Sequence, residues 1–456
     1  MSSTPKTLSA PMTAHLNLKH DKSKHKCLAN QICALDKLRI EKHLQSKYPF
    51  GPAAHHNEAF KTALVSTKPF SNDTTTVDVT NAVVTYTMDV GIGANDDKYT
   101  LLIDTGSSNT FAGSDKTYKE TSTSQNTGNT VRVTYGSGSF RGKQYLDRVA
   151  LSPSLVINHQ GIGVTTKEEA QVRHTSSILQ QKWSYGSFQG FDGVDGILGI
   201  GPVELTVGTV SDDQPVPTVT DNLYKQKLIP KNSIGISYVP TIGSGGDLSG
   251  ELTFGGEDQS KFVDGISYFP ITSTAPSGSY WGIDQSVSYG PAGSDPSSGS
   301  KGFTTILDNT AGILDTGTTL LYLASDAFAA YQKATGAKLD STTGLLKITS
   351  AQYEKLGSLY FTFGTTAKKA FELVPDAQIW PRELNTTIGG DADSIYLVAA
   401  DSGSKSGSGL DFINGFVWLQ RFYTVYDTEN SQIGIASTQY TKATSNFGGS
   451  SAASKS

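Results

Sequence analysis

The stretch Tyr99–Gly113, YTLLIDTGSSNTFAG, decides how the rest of the chain is read. Strand-type residues Leu101-Leu102-Ile103 run directly into Asp104, and Thr105-Gly106-Ser107 then turn the chain sharply. A carboxylate at the end of an apolar strand needs a partner, because burying an unpaired charge is costly. The stretch Ala311–Ser325, AGILDTGTTLLYLAS, repeats the pattern, with Asp315, Thr316, Gly317 and Thr318 after Gly312-Ile313-Leu314. The partner of the first turn is therefore expected to be a second copy of itself.

The repeat extends beyond the turns. Gly199 closes GILG 95 residues after Asp104, and Gly415 closes FING 100 residues after Asp315. Two halves of similar length, each with an Asp-Thr-Gly turn and a later apolar segment ending in Gly, imply a pair of two-fold related β-domains. From Val83 onward, β-branched and aromatic runs bounded by Gly, Asn, Asp and Ser recur every 8–12 residues, the mark of an all-β body. Short helices are predicted at PTVTDNLYKQKL and at ASDAFAAYQKATG, the latter capped by Ser325 and Asp326. A length of 456 residues calls for more than one unit.

Charge divides the chain differently. Residues 1–70 carry a formal charge of +7 and the remainder −12, and six of the eight histidines (15, 20, 25, 43, 55 and 56) lie in the basic head. A basic head on an acidic body implies an intramolecular electrostatic cover, and its histidines gain charge as pH falls through about 6.5. The alternative is a basic tail for nucleic acid or membrane. Within the head, KHKCLANQICALDKLRIEKHL reads as an amphipathic helix with Leu28, Ile32, Leu35, Leu38 and Leu44 near one stripe. Cys27 and Cys33 fall on it, too far apart along a straight helix for a disulfide, and are read as packing residues or a bond that breaks the helix. Residues 8–20 alternate like a short strand, and residues 49–82 read as a linker. The expected division is a basic propeptide over 1–70, a linker or activation region over 71–82, lobes over 83–240 and 241–440, and a disordered Ser/Gly-rich tail over 441–456. No apolar run of about 18 residues is present, so no membrane span is expected, and no signal peptide is visible at the N-terminus.

Two like-charged carboxylates in near contact cannot both ionise comfortably. Gly106 and Gly317 allow backbone N–H groups to approach Asp104 and Asp315, and the hydroxyls of Ser107 and Thr318 can hold their outer oxygens. A water between the pair is then activated by the ionised carboxylate while the protonated one donates to a substrate carbonyl. This chemistry calls for no cofactor and no metal. A serine or cysteine hydrolase lacks support, since the body holds only His159 and His174 and no cysteine. A two-carboxylate glycosidase has no need of duplicated turns.

These segments resemble the pepsin family of aspartic endopeptidases, most of all its basidiomycete members. IDTGSSNTF, VTYGSGSFRG, DGVDGILGIGP, GILDTGTTL and FINGFVWLQRFYTVYDTENSQIGIAS occur in the family's order and cover nearly the whole chain. The resemblance implies a bilobal, all-β acid-protease fold with a central cleft, catalytic Asp104 and Asp315, and a flap around Tyr135-Gly136-Ser137-Gly138. It implies a pocket lined by Phe188, Val194 and Ile197. It further implies a zymogen whose prosegment lies across the cleft as an intramolecular inhibitor, with Lys47-Tyr48 near the aspartates. Expected partners are polypeptide substrates and pepstatin-like inhibitors acting on a monomer, with no nucleic acid or membrane. A catalytically dead binding protein of this fold would be expected to have lost an aspartate or the flap tyrosine. Phe111 stands where many relatives have a Trp able to bond the flap tyrosine, and Asn414 where many have an apolar residue; neither is expected to touch the aspartates. Sequons at Asn72 and Asn385 favour an extracellular protein, with a vacuolar one as the alternative.

Overall fold

The computed structural model describes residues 28–45, 74–81, 85–134, 139–164, 194–240, 249–296, 301–364 and 368–444. Each lobe is built on the same strand plan around its aspartate turn. In the first lobe Tyr86–Ile92 and Asp97–Asp104 form an antiparallel hairpin that ends at the catalytic-type turn. Gly196–Gly199 lies parallel to the second strand, with Gly199 opposite Asp104. Thr110–Ala112 then runs antiparallel to Gly196–Gly199, and Val156–Val164 runs parallel to Thr110–Ala112. In the second lobe the hairpin is Gly282–Gly290 with Thr304–Leu314. Phe412–Asn414 lies parallel to Thr304–Leu314, Leu321–Leu323 antiparallel to Phe412–Asn414, and Ala399–Asp401 parallel to Leu321–Leu323. The parallel strands are covered on both faces, as GILG, buried throughout, requires. The architecture is thus the expected bilobal, all-β, pepsin-like fold.

Among the described residues, one thirteen-stranded sheet runs from the first lobe through the junction into the strands Phe422–Asp427 and Gln432–Ser437. Thr75–Asn81, placed by sequence in a linker, is a strand of this sheet, paired over six residues with Ser249–Phe254. Its Thr- and Val-rich sequence suits a strand, a signal hidden by the Asp and Asn within it. A buried Trp281 Nε1 donates to the carbonyl of Ile200 at 3.2 Å, and Tyr86 Oη donates to Val239 O at 2.6 Å.

The predicted short helices form at Val219–Lys225 and Ser325–Thr335. The first has the reciprocal Thr218/Asp221 capping box. The second is not capped by its own side chains: Ser325 donates to Asp401 and Asp326 accepts from Ser406, and the helix ends at Gly336 in the left-handed region. The sequon asparagine Asn385 is fully buried, its amide donating to the carbonyls of Asp391, Ala392 and Ser394 at 3.0, 3.2 and 2.7 Å. That nitrogen is unavailable to a glycan in the folded chain, so Asn385 gives no support to the extracellular reading. Residues 8–20, Asn72, Cys27 and the tail beyond 444 lie outside the described residues.

Candidate active site

The two Asp-Thr-Gly turns meet at the junction of the lobes and grip one another. Thr105 N donates to Thr316 Oγ1 at 2.9 Å and Thr316 N to Thr105 Oγ1 at 3.0 Å. Each hydroxyl in turn donates to the carbonyl before the opposite aspartate, Leu314 at 3.2 Å and Ile103 at 2.9 Å. Four mutual hydrogen bonds make this buried polar junction rigid.

Asp104 and Asp315 are both fully buried and have matched shells. Gly106 N donates to Asp104 Oδ1 at 3.0 Å, and Gly317 N to Asp315 Oδ1 at 3.0 Å. Ser107 Oγ donates to Asp104 Oδ2, and Thr318 Oγ1 to Asp315 Oδ2 at 2.6 Å. The glycines are required by close approach. A methyl on Gly106 would stand 2.6 Å from Asp315 Oδ1, and one on Gly317 would stand 2.5 Å from Asp104 Oδ1. Each carboxylate thus sits over the other's turn.

A cation from the N-terminal head lies between them. The helix Leu28–His43 brings Arg39 to the junction, where Nη2 pairs with Asp104 Oδ1 and Nε donates to Asp315 Oδ2 at 2.7 Å. Nη2 also donates to Asp315 Oδ1 at 3.1 Å. The buried face of the helix is Ile32, Asp36, Arg39, Ile40 and His43. This corrects the expected leucine stripe: Leu35, Leu38 and Leu44 are only half-buried, and the side chain of Leu28 lies outside the described residues. The floor of the cleft offers two carboxylates, so charge complementarity selects the face. Sequence reasoning placed its weight on Lys47 and Tyr48, both outside the described residues, and missed Arg39. The available signal was the spacing 32, 36, 39/40, 43, a single helical face bearing charges between isoleucines. Cys33, on a neighbouring face, is half-buried against the core.

Burial pushes the Asp315 carboxyl up, but the Arg39 charge and His43 outweigh it and hold the group well below the usual carboxylate range. Burial disfavours the Arg39 charge, and the two carboxylates more than offset this. His43 Nε2 lies 3.5 Å from Asp315 Oδ2, and its ring meets Tyr280 edge-on at 4.5 Å. Burial lowers the His43 pKa despite Asp315. Burial likewise lowers Lys42 to about 8, with Arg39 adding to the effect, and raises Asp36 to about 7 against the pull of Arg39.

Of the other expected site residues, Val194 and Ile197 come together in a cluster with Phe111, Val131, Val133, Phe140, Val210 and Val216. Phe111 is fully buried and stacks on Phe140 at 4.3 Å. Tyr135, Gly136, Ser137 and Phe188 lie outside the described residues. The side-chain amide of Asn414 bonds Gln285 rather than an aspartate, and it is the backbone carbonyl of Asn414 that accepts the N–H of Asp315, at 3.2 Å.

Comparison with known proteins agrees with this geometry. Residues 85–438 match the family described as eukaryotic aspartyl protease. Polyporopepsin of Irpex lacteus is 52% identical over 372 residues, covering 81% of this chain and 99% of that protein. Rhizopuspepsin-1 of Rhizopus niveus is 30% identical over 365 residues, covering 77% and 79% respectively. The crystal structure of the aspartic proteinase from Irpex lacteus superposes with a TM-score of 0.70 at 52% identity, covering 82% of this chain and all of that one. With two aspartate turns interlocked at the lobe junction and this match along most of its length, the chain belongs to the pepsin family of eukaryotic aspartyl proteases.

Proposed function

We propose that this aspartic endopeptidase cleaves polypeptides by water activated between Asp104 and Asp315, and that it is made as a zymogen blocked by its own helix Leu28–His43. The observation that carries the reading is the Arg39 guanidinium shared by both carboxylates. While it is there, neither carboxylate is free to accept a proton from water or to donate one to a substrate carbonyl. Once it leaves, two carboxylates in near contact retain a single proton between them, and the matched hydroxyl and amide shells keep both planes fixed. The ionised member takes the proton of the attacking water, and the protonated member donates to the carbonyl oxygen as the tetrahedral centre forms. Thr105, Gly106, Ser107, Thr316, Gly317 and Thr318 serve as supports. Tyr135, Gly136 and Ser137 would cover the substrate, with Phe188, Val194 and Ile197 bounding its apolar pocket. Secretion fits the family, whose members here include a secreted aspartic protease of Candida albicans.

The test is digestion of denatured haemoglobin at about pH 3–5 with and without pepstatin. Pepstatin-sensitive cleavage is expected, and Asp104→Asn or Asp315→Asn should each leave less than a tenth of the rate. A tenth corresponds to only about 1.4 kcal/mol of transition-state stabilisation, too little for loss of half of the acid–base pair. Either variant above that mark contradicts the assignment.

A further inference from the structure

The lobes share one strand plan, so a chemical difference at equivalent places calls for a cause. In the first lobe Leu198 lies opposite Ile103, the residue before Asp104, and Val90 lies opposite Tyr99, five residues before Asp104. Both are apolar and fully buried. In the second lobe Asn414 lies opposite Leu314, and Gln285 lies opposite Thr310, at the same offsets from Asp315. These amides are also fully buried, and they pair with each other. Asn414 Nδ2 donates to Gln285 Oε1 at 2.9 Å, and Gln285 Nε2 donates to Asn414 Oδ1 at 3.3 Å.

Stability does not account for the pair. Two buried amides must recover a desolvation cost that Leu and Val never incur, and a closed pair is about neutral against an apolar one of the same shape. The first lobe shows that the plan works with the apolar pair. What a reciprocal amide pair adds is direction: it fixes how far two strands slide past one another, which hydrocarbon contact does not.

The strand it fixes is the one under the second aspartate. The Asn414 carbonyl accepts the Asp315 N–H at 3.2 Å. The next residue, Gly415, passes so close to the carbonyls of Leu320 and Thr318 that a methyl there would clash with both. Asn414 thus ties the turn carrying Asp315 to the sheet, and Gln285 ties Asn414 to the strand Gly282–Gly290.

We propose that the Asn414–Gln285 amide pair is a positioning element for Asp315, setting the height of that turn and so making the two carboxylates inequivalent. The proposal rests on the reading of Asp315 as half of the catalytic pair. The test transplants the first lobe's solution. In Asn414→Leu/Gln285→Val, kcat on a peptide substrate is expected to fall about tenfold with KM changed less than about twofold. One limb of the kcat–pH profile is expected to move by about half a unit or more. The exchanged pair Asn414→Gln/Gln285→Asn, which retains two amides, should recover most of the loss. Gln285→Met removes only the partner amide at similar volume, and should give the same signature if the double variant does not accumulate. Wild-type kcat and unmoved limbs in the transplant, or in Gln285→Met, overturn the proposal while leaving the catalytic reading intact. Activity retained in Asp315→Asn would instead overturn the catalytic reading itself.

Discussion

Beneath the Arg39 guanidinium, the Asp104 and Asp315 carboxylates are each held by one hydroxyl and one backbone N–H of their own turn. A hydrogen bond to a charged group contributes about 1.5–3 kcal/mol. Thr318→Val should therefore lower kcat by about 10–100-fold, measured beside KM on one peptide, and a wild-type kcat would mean the hydroxyl is not needed in the reaction. Phe111 presents a packing problem rather than a bonding one. It is fully buried and stacked on Phe140, which itself closes on Gly163. Phe111→Trp should thus cost about 1–3 kcal/mol of stability by overpacking, read as a lower thermal midpoint; an unchanged midpoint would show spare room. The aspartates, glycines and hydroxyls were legible in the sequence because the chemistry demands those residue types at adjacent positions. Arg39 was not, because a charged residue on a helix is ordinarily solvated and only the partner across 65 residues of chain gives it meaning. The Asn385 sequon misled for a related reason, since a three-residue pattern carries no information about burial.

The element proposed to block the cleft is the helix Leu28–His43, and its titrating groups act with opposite signs. His43 faces Asp315, Arg39, Lys42 and the Tyr280 ring, and its pKa is depressed when docked. Its contribution to docking is therefore complete above about pH 6.5 and is lost as pH falls below that value. Asp315, also depressed, acts in the same direction further into acid: the docked form is favoured while the carboxylate is ionised and loses this as it protonates. Asp36 faces Arg39, Asp315, Tyr322 and the backbone of Leu320, and its pKa is raised to about 7. Its burial opposes docking above about 7, and protonation relieves that penalty at lower pH, so Asp36 resists release. His43→Gln, which no longer charges, should move the pH of half-maximal activation rate downward by about half a unit or more. Asp36→Asn should tighten docking near pH 7 and leave it unchanged near pH 4. Activation rates across pH, followed by mass spectrometry, check both, and an upward shift for His43→Gln would contradict the assigned sign. The existence of this helix could be read from its periodicity; the choice between its leucine stripe and the charged face at 32, 36, 39/40 and 43 could not, because that depends on the charge of the floor beneath it.

In the whole molecule, two lobes with a net charge of −12 and a head of +7 are joined by a shared sheet and an interlocked pair of threonine turns. The duplication was plain in the sequence, since both turns and both closing glycines repeat. The shared sheet was not, because Thr75–Asn81 finds its partner Ser249–Phe254 only across the lobe junction. That pairing bears on processing: a cut before Thr75 leaves the strand in place, so the mature N-terminus is expected between Thr67 and Thr75. A mature chain beginning after Asn81 would show the strand to be dispensable. One cation, the Arg39 guanidinium, holds both carboxylates. Removing it takes from the docked helix the one charge that offsets both buried carboxylates, which is strongly destabilising for docking. The most direct measurement is pepstatin binding at about pH 6 by the full-length chain, with its mass verified before and after. The wild-type chain should not bind and Arg39→Gln should; equal binding by the two intact chains would contradict the account.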